Sequence, residues 1–160
     1  MEIEFTARAE TAEEVVRAYA DTVYALAFAQ TRSRSDADDV FQEVFLAYVR
    51  KSPKFESEEH RKAWFLRVTL NCCKKLWRTR SRHGTVPLEE SLVFQTRDET
   101  VLSLELEKLP PKYRAVIHLF YYESLTTEEI ARVVNASPGA VRTRLSRARD
   151  LLREQLRGEL

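Results

Sequence analysis

Apolar residues recur every three to four positions along most of this chain, and short polar breaks carrying cap signals separate the periodic stretches. The first periodic stretch runs from 11 to about 31. It opens with Thr11-x-x-Glu14, a capping box in which hydroxyl and carboxylate each satisfy an orphan amide of the first turn. A second follows over about 36–51, with Ser35 as its expected cap. The polar break KSPKFES at 51–57 precedes a third helix of about six turns over 58–80. The pattern then lapses: 81–97 contains Gly84 and Pro87 among scattered apolar residues and reads as a linker. Helices are expected again over 98–108, 111–122, 126–134 and 138–157, and no stretch alternates with the period of a strand. The fold class is therefore all-α, two small helical domains (1–80 and 98–160) joined by a flexible linker (81–97). The C-terminal domain is a helix-turn-helix.

That motif is the segment from Leu125 to Leu145. Thr126 and Glu129 form a second capping box, and Ile130, Val133 and Val134 supply an apolar side to the short helix they open. Asn135 suits the chain reversal because it tolerates the left-handed conformation. Ser137 caps the next helix, with Pro138 at its first position, where no amide donor is missed. At about 100° per residue, Val141, Leu145, Ala148 and Leu152 form one inward stripe. Arg142, Thr143, Ser146, Arg147 and Arg149 lie off it, and Gly139 and Ala140 keep the leading end slim enough for a DNA groove.

Two helices of the N-terminal half are also two-faced. In DADDVFQEVFLAYVR, residues 36–50, the core side is Ala37, Val40, Phe41, Val44 and Tyr48, and the opposite side carries Asp39, Gln42, Glu43 and Leu46. An acidic face that includes a leucine reads equally as a protein-docking surface and as a solvated face. In the 58–80 helix, Phe65, Thr69, Cys72 and Leu76 make the less polar stripe, with Cys73 towards its edge. Arg67, Asn71, Lys74 and Arg78 line the far side. Aligned cations repel mildly unless a polyanion lies along them. Trp64 and Trp77 flank the stripes, and aromatics beside a basic track give single-stranded bases a platform, Trp64 more readily than Trp77.

Charge sharpens this picture. The formal net charge of +1 conceals 13 acidic against 7 basic residues over 1–59, then 8 basic and no acidic residues over 60–83, and 7 arginines against two acids over 132–157. Two basic blocks beside an acidic one point to two nucleic-acid contacts and a different partner for the acidic part. The N-terminus lacks the layout of a signal peptide and no apolar run is long enough to span a bilayer, so no membrane insertion and a cytoplasmic location are expected. Cys72 and Cys73 are adjacent and lack the spaced partners of a zinc site; no metal or cofactor is expected.

These residues resemble the extracytoplasmic-function sigma factors of bacterial RNA polymerase over nearly the whole chain. DADDVFQEVFLAYV is similar to that family's polymerase-clamp helix, AWFLRVTLNCCKKLWRTRSR to its promoter-melting and minus-ten segment, and the stretch from Leu106 to Leu156 to its minus-thirty-five domain. The resemblance implies that Asp39, Gln42, Glu43 and Leu46 bind core RNA polymerase. It implies that the loop from Lys51 to Glu59 and Arg61, Lys62, Trp64, Arg67, Asn71, Lys74 and Arg78 hold melted minus-ten DNA. Ser137, Pro138, Gly139, Ala140, Arg142, Thr143, Ser146 and Arg147 would read the duplex at minus thirty-five. Promoter DNA and core polymerase are the implied partners, an anti-sigma factor is a further partner the family makes plausible, and no covalent chemistry is implied. Lys75 departs from the acidic residue often found there in the family.

Two other functions compete. A free-standing helix-turn-helix regulator would share the C-terminal motif but leave the acidic face and the 60–83 basic tract without a role. A metal-dependent nuclease would need clustered carboxylates, and of the nearest group Asp36 and Asp39 project to different sides from Asp38.

Overall fold

The computed structural model describes residues 11–83 and 105–158. Among these, every regular element is helical: α1 (Ala12–Thr31), α2 (Arg34–Lys51), α3 (Glu58–His83), α4 (Pro111–Ile117), α5 (Thr127–Val134) and α6 (Pro138–Gly158). One π-helical turn (His118–Tyr122) extends α4.

Caps set most of these boundaries. Both capping boxes form, with Thr11 Oγ1 accepting from Glu14 N and Thr126 Oγ1 from Glu129 N, each at 3.1 Å. Such caps contribute about 1 kcal/mol apiece. Helix α2 begins earlier than expected: its cap is Ser33, whose hydroxyl accepts from Asp36 N at 3.2 Å, while Ser35 is exposed in the first turn. The buried Asp36 carboxylate is gripped by two nitrogens of Arg80 near the far end of α3, and this ties the start of α2 in place. Helix α3 likewise continues to His83, so 81–83 belong to a helix and not to the linker; 84–97 and the first part of the 98–108 helix lie outside the described residues.

Helices α1–α3 pack as a three-helix unit around Phe65. That ring stacks on Tyr19 at 4.5 Å and meets Trp64, Phe45 and Tyr48 at 5.0 to 5.5 Å between centroids. Val15, Val23, Ala27, Ala37, Val40 and Val44 complete this core. Within α3 the centre of the inward stripe is Cys73, fully buried, while Cys72 is only half-buried. Burial pushes the Cys73 thiol up to about 12, as suits a structural apolar residue.

Helices α4–α6 surround a second core of Val116, Leu119, Ile130, Val133, Val141, Leu145 and Ala148. This core does not stop at the C-terminal unit. Leu26 of α1 and Leu66 and Leu70 of α3 belong to it, so the two helical units share buried apolar surface.

In the π turn the amide of Glu123 reaches back five residues to His118 O, and Ser124 follows at φ 60°. The widened turn stacks His118 on Tyr122 at 4.7 Å and leaves its buried Nε2 without a partner. Burial lowers the His118 pKa to about 4, below the usual 6.5 or so. The folded state therefore resists a proton that the unfolded chain accepts. Stability is fully present above about pH 6.5 and falls by on the order of 2–3 kcal/mol as pH drops towards 4. Thermal melts across this range are expected to show that loss, and His118→Phe is expected to flatten it relative to wild type.

Candidate nucleic-acid and polymerase interfaces

Helix α2 presents its acidic side to solvent. Asp39, Gln42, Glu43 and Leu46 are all exposed along one face, while Ala37, Val40 and Val44 are buried on the other. Leu46 is 50% exposed, and Val49, 58% exposed one turn further on, extends the apolar content of that face. Two large apolar side chains left in water among carboxylates are typical of a protein-docking surface with a charged rim. Val49 carries no clear signal in the sequence, because its neighbours Tyr48 and Arg50 pull the local pattern in opposite directions.

The basic side of α3 is assembled only in part as expected. Asn71, Lys74 and Arg78 are exposed in line, and Arg67 is half-buried at the end of the row. Arg61 is elsewhere: it is buried, its Nη2 donates to Glu58 Oε2 at 2.6 Å, and its Nε donates to Tyr19 Oη at 3.2 Å. Tyr19 Oη in turn donates to Glu58 Oε1 at 2.7 Å. Burial, with the Glu58 hydrogen bond adding to it, raises Tyr19 to about 12 and keeps that donor protonated. Arg61 is thus a staple between α1 and the first turn of α3, and it offers no cation to DNA.

Trp64 is half-buried on the other edge of α3, edge-on to Tyr48 and Phe55 at 6.1 and 5.8 Å. Phe55 brings the 52–57 loop onto this aromatic group. The loop is held by Glu56 N donating to His60 Nδ1 and by Ser57, whose hydroxyl caps α3 through His60 N at 3.0 Å. Trp77, like Trp64, packs against the N-terminal core.

The helix-turn-helix forms as its sequence indicates. Asn135 adopts φ 60°, ψ 54°, and Ser137 Oγ accepts from Ala140 N at 3.1 Å. Val141, Leu145 and Ala148 are buried, and Leu152 packs at their edge. Ser137, Gly139, Arg142, Thr143, Ser146 and Arg147 are exposed together, with Pro138 and Ala140 partly so. A Cβ on Gly139 would meet only ordinary contacts, so nothing inside the fold demands glycine there and its small size matters only outward. Arg149 is taken by an internal partner, Tyr121 Oη at 2.8 Å, and lies over the Phe120 and Tyr121 rings.

The C-terminal unit lies against α3. Lys62 Nζ pairs with Glu123 Oε1 at 3.0 Å, and Arg67 donates through Nε and Nη2 to the carbonyl of Arg132 at 3.3 and 2.9 Å. Arg67, Asn71 and Lys74 line a polar groove of about 650 Å³ whose other wall is the end of α5, Arg132 to Asn135. No helix among the described residues is long and apolar enough to cross a membrane. No group of three or more His, Cys, Asp or Glu among them is placed to hold a metal ion.

Comparison with known proteins fits this arrangement. Residues 15–83 match Sigma-70 region 2 and residues 101–152 match Sigma-70, region 4. The chain is 32% identical over 157 residues to the ECF RNA polymerase sigma factor SigE of Mycolicibacterium smegmatis, covering 90% of this chain and 61% of SigE. It is 29% identical to the ECF RNA polymerase sigma factor SigW of Bacillus subtilis, over 90% of this chain and 88% of SigW. It is 30% identical to the RNA polymerase sigma-E factor of Streptomyces coelicolor, over 90% and 85%. The fold is shared with the sigma factor RpoE solved in complex with the anti-sigma factor NepR from Bartonella quintana, at a TM-score of 0.77 and 22% identity over 91% of this chain and 96% of that one. CnrH, solved with the cytosolic domain of CnrY, aligns at a TM-score of 0.69 and 27% identity, over 93% and 89%. Two sigma-70 regions in order on one helical chain, with relatives matched along most of its length, place this protein in the extracytoplasmic-function family of bacterial RNA polymerase sigma factors.

Proposed function

We propose that this chain binds core RNA polymerase in the cytoplasm and directs initiation at promoters carrying two recognition elements. The observation that carries the reading is the division of surfaces: an acidic face on α2, a basic row on α3 and an exposed recognition edge on α6, each on a helix whose other side is buried. Asp39, Gln42, Glu43 and Leu46 meet a basic surface of the polymerase. Lys62, Arg67, Asn71, Lys74 and Arg78 hold the backbone of the melted minus-ten strand, and Trp64 with the 51–59 loop forms the platform for an unstacked base. Ser137, Pro138, Gly139, Ala140, Arg142, Thr143, Ser146 and Arg147 enter the major groove at minus thirty-five. The division of labour is non-covalent: the chain supplies binding and strand capture, and tethering to the polymerase raises the effective concentration of two weak DNA contacts. An anti-sigma factor is proposed as a further partner, since the sigma factor RpoE was solved with the anti-sigma factor NepR bound.

Reconstituted transcription tests this. Core polymerase with the chain is expected to initiate at promoters enriched by selection for bound DNA, and no initiation at any of them would refute it. In the same assay Arg142→Ala is expected to lose about 1–3 kcal/mol of minus-thirty-five discrimination, relaxing sequence preference at one position. Arg147→Ala is expected to weaken all sequences alike and to lower the salt dependence of duplex binding.

A further inference from the structure

Where α1 ends, a cavity of about 180 Å³ opens between that helix and the π turn. Ala29, Leu106 and Ile117 give it a largely apolar lining, and its charged groups are Arg32, Glu107 and Arg114. The π turn completes it with His118, Tyr121 and Tyr122. Such widened turns recur at functional sites. Here both tyrosines stay in water beside the cavity, 58% and 66% exposed. An apolar space of about 150 Å³ is enough for one benzene-sized ring.

The charge around this space is unbalanced. Arg32 Nη2 pairs with Glu107 Oε1 at 3.8 Å. Arg114 is partly buried, and its hydrogen bonds all go to neutral carbonyls, those of Ala29, Gln30, Glu107 and Leu109. Burial lowers the Arg114 pKa and the charge of Arg32 adds to the shift, so the two guanidinium groups are near enough to repel. Two cations therefore share one carboxylate at the edge of an apolar space. A small anion relieves that arrangement, and a carboxylate matches the planar fork of a guanidinium. His118 adds a further polar contact point. Its pKa of about 4 keeps the ring neutral near pH 7, and its buried Nε2 has no hydrogen-bond partner among the described residues. An unpaired buried polar atom costs about 1–3 kcal/mol, which a polar group of a ligand placed against it offsets.

We propose that this cavity is a binding site for a small aromatic monocarboxylate of about the size of benzoate. The ring packs against Leu106, Ile117 and the tyrosine rings, and the carboxylate sits between Arg32 and Arg114. Ring and charge are both needed: acetate brings the charge without the apolar area, and benzamide brings the ring without the charge. Glu107 competes with the ligand for Arg32, which limits the affinity of the natural chain. None of the lining residues is among those assigned to DNA or to the polymerase, so the site stands or falls separately from the proposed function.

Isothermal titration of the full chain with benzoate, benzamide and acetate tests this. Benzoate is expected to saturate a single site and to raise the melting temperature with its concentration, as any ligand of the folded state does. Benzamide and acetate are expected to bind at least about tenfold more weakly. Two variants locate the site. Ala29→Leu narrows the cavity while keeping both arginines, and it should weaken benzoate by about tenfold or more. Glu107→Gln removes the competing carboxylate at a position one-third exposed, and it should tighten benzoate by roughly two- to fivefold. A melt of each variant without ligand shows whether it folds. The proposal is overturned if benzoate does not bind, or binds no better than benzamide or acetate. A folded Ala29→Leu chain that binds benzoate as wild type does also overturns it. Should Ala29→Leu not fold, Glu107→Gln decides: affinity unchanged or weakened there sinks the site. Either result leaves polymerase binding and initiation to be judged by their own assay.

Discussion

Replacing Phe65 by alanine is expected to destabilise the N-terminal unit by about 3–5 kcal/mol, enough to use up much of the 5–15 kcal/mol or so that a domain of this kind possesses. The magnitude follows from where the ring sits. Phe65 is fully buried and meets aromatics from all three helices: Tyr19 from α1, Phe45 and Tyr48 from α2, and Trp64 beside it on α3. Four rings cannot collapse into the space of a fifth without leaving their rotamers, so the cavity persists and its cost adds to the lost transfer energy. Phe65→Leu keeps most of the volume and is expected to cost less, around 1–2 kcal/mol. Urea melts followed by tryptophan fluorescence give the comparison directly, because Trp64 reports on this cluster. A Phe65→Ala chain as stable as wild type would contradict the assignment of Phe65 as the hub.

The largest functional effect is expected from reversing the charge on α2. Asp39→Lys with Glu43→Lys turns the acidic face basic at two exposed positions, which leaves stability within about 0.5 kcal/mol of wild type. If that face meets a basic surface on the polymerase, attraction becomes like-charge repulsion and affinity for core polymerase is expected to fall by roughly two orders of magnitude or more. Duplex binding by α6 should be untouched, since those residues lie on the other helical unit. A pull-down with core polymerase, run beside a duplex-binding titration and a melt, separates the loss of docking from any loss of fold. Unchanged polymerase affinity would remove α2 from the docking surface and would favour a free-standing regulator.

Leu46 and Val49 bear on the same surface. Charge steers the encounter, but exposed apolar side chains give a docked interface its slow dissociation. Both are exposed beside Asp39 and Glu43, so a partner docked there would bury apolar surface as well as meet charge.

Much of the architecture is written in short-range signals. The capping boxes at Thr11 and Thr126, the left-handed Asn135, the Ser137 cap and the Val141, Leu145, Ala148 stripe all depend on residues within about one or two turns of one another. Helix order, the inward face of α6 and the exposure of its opposite edge follow from periodicity, but on α2 the buried side shifts: Phe45 and Ala47 are buried, while Phe41 and Tyr48, expected inside, are only partly so. Where two such signals lay close together, the local rule was not enough. Ser33 and Ser35 are both acceptable caps, and Ser33 prevails because Asp36 must be buried against Arg80, 44 residues away in sequence.

The three-dimensional structure decided what a charged side chain does once folded. Arg61 and Arg67 look alike in a basic tract. One is withdrawn to Tyr19, 42 residues upstream, and the other reaches a carbonyl 65 residues downstream. Leu66 and Leu70 sit between the two faces deduced for α3, and only the presence of the C-terminal unit gives them somewhere to be buried. Arg114 reads as one more helix cation until its fork is seen on carbonyls 84 and 85 residues away. By itself the sequence determined the helices and which of their sides point inward, because amphipathic period and capping are local. Tertiary structure alone decided which cations remain for DNA, because a guanidinium's partner is set by whichever helix end the fold carries to it.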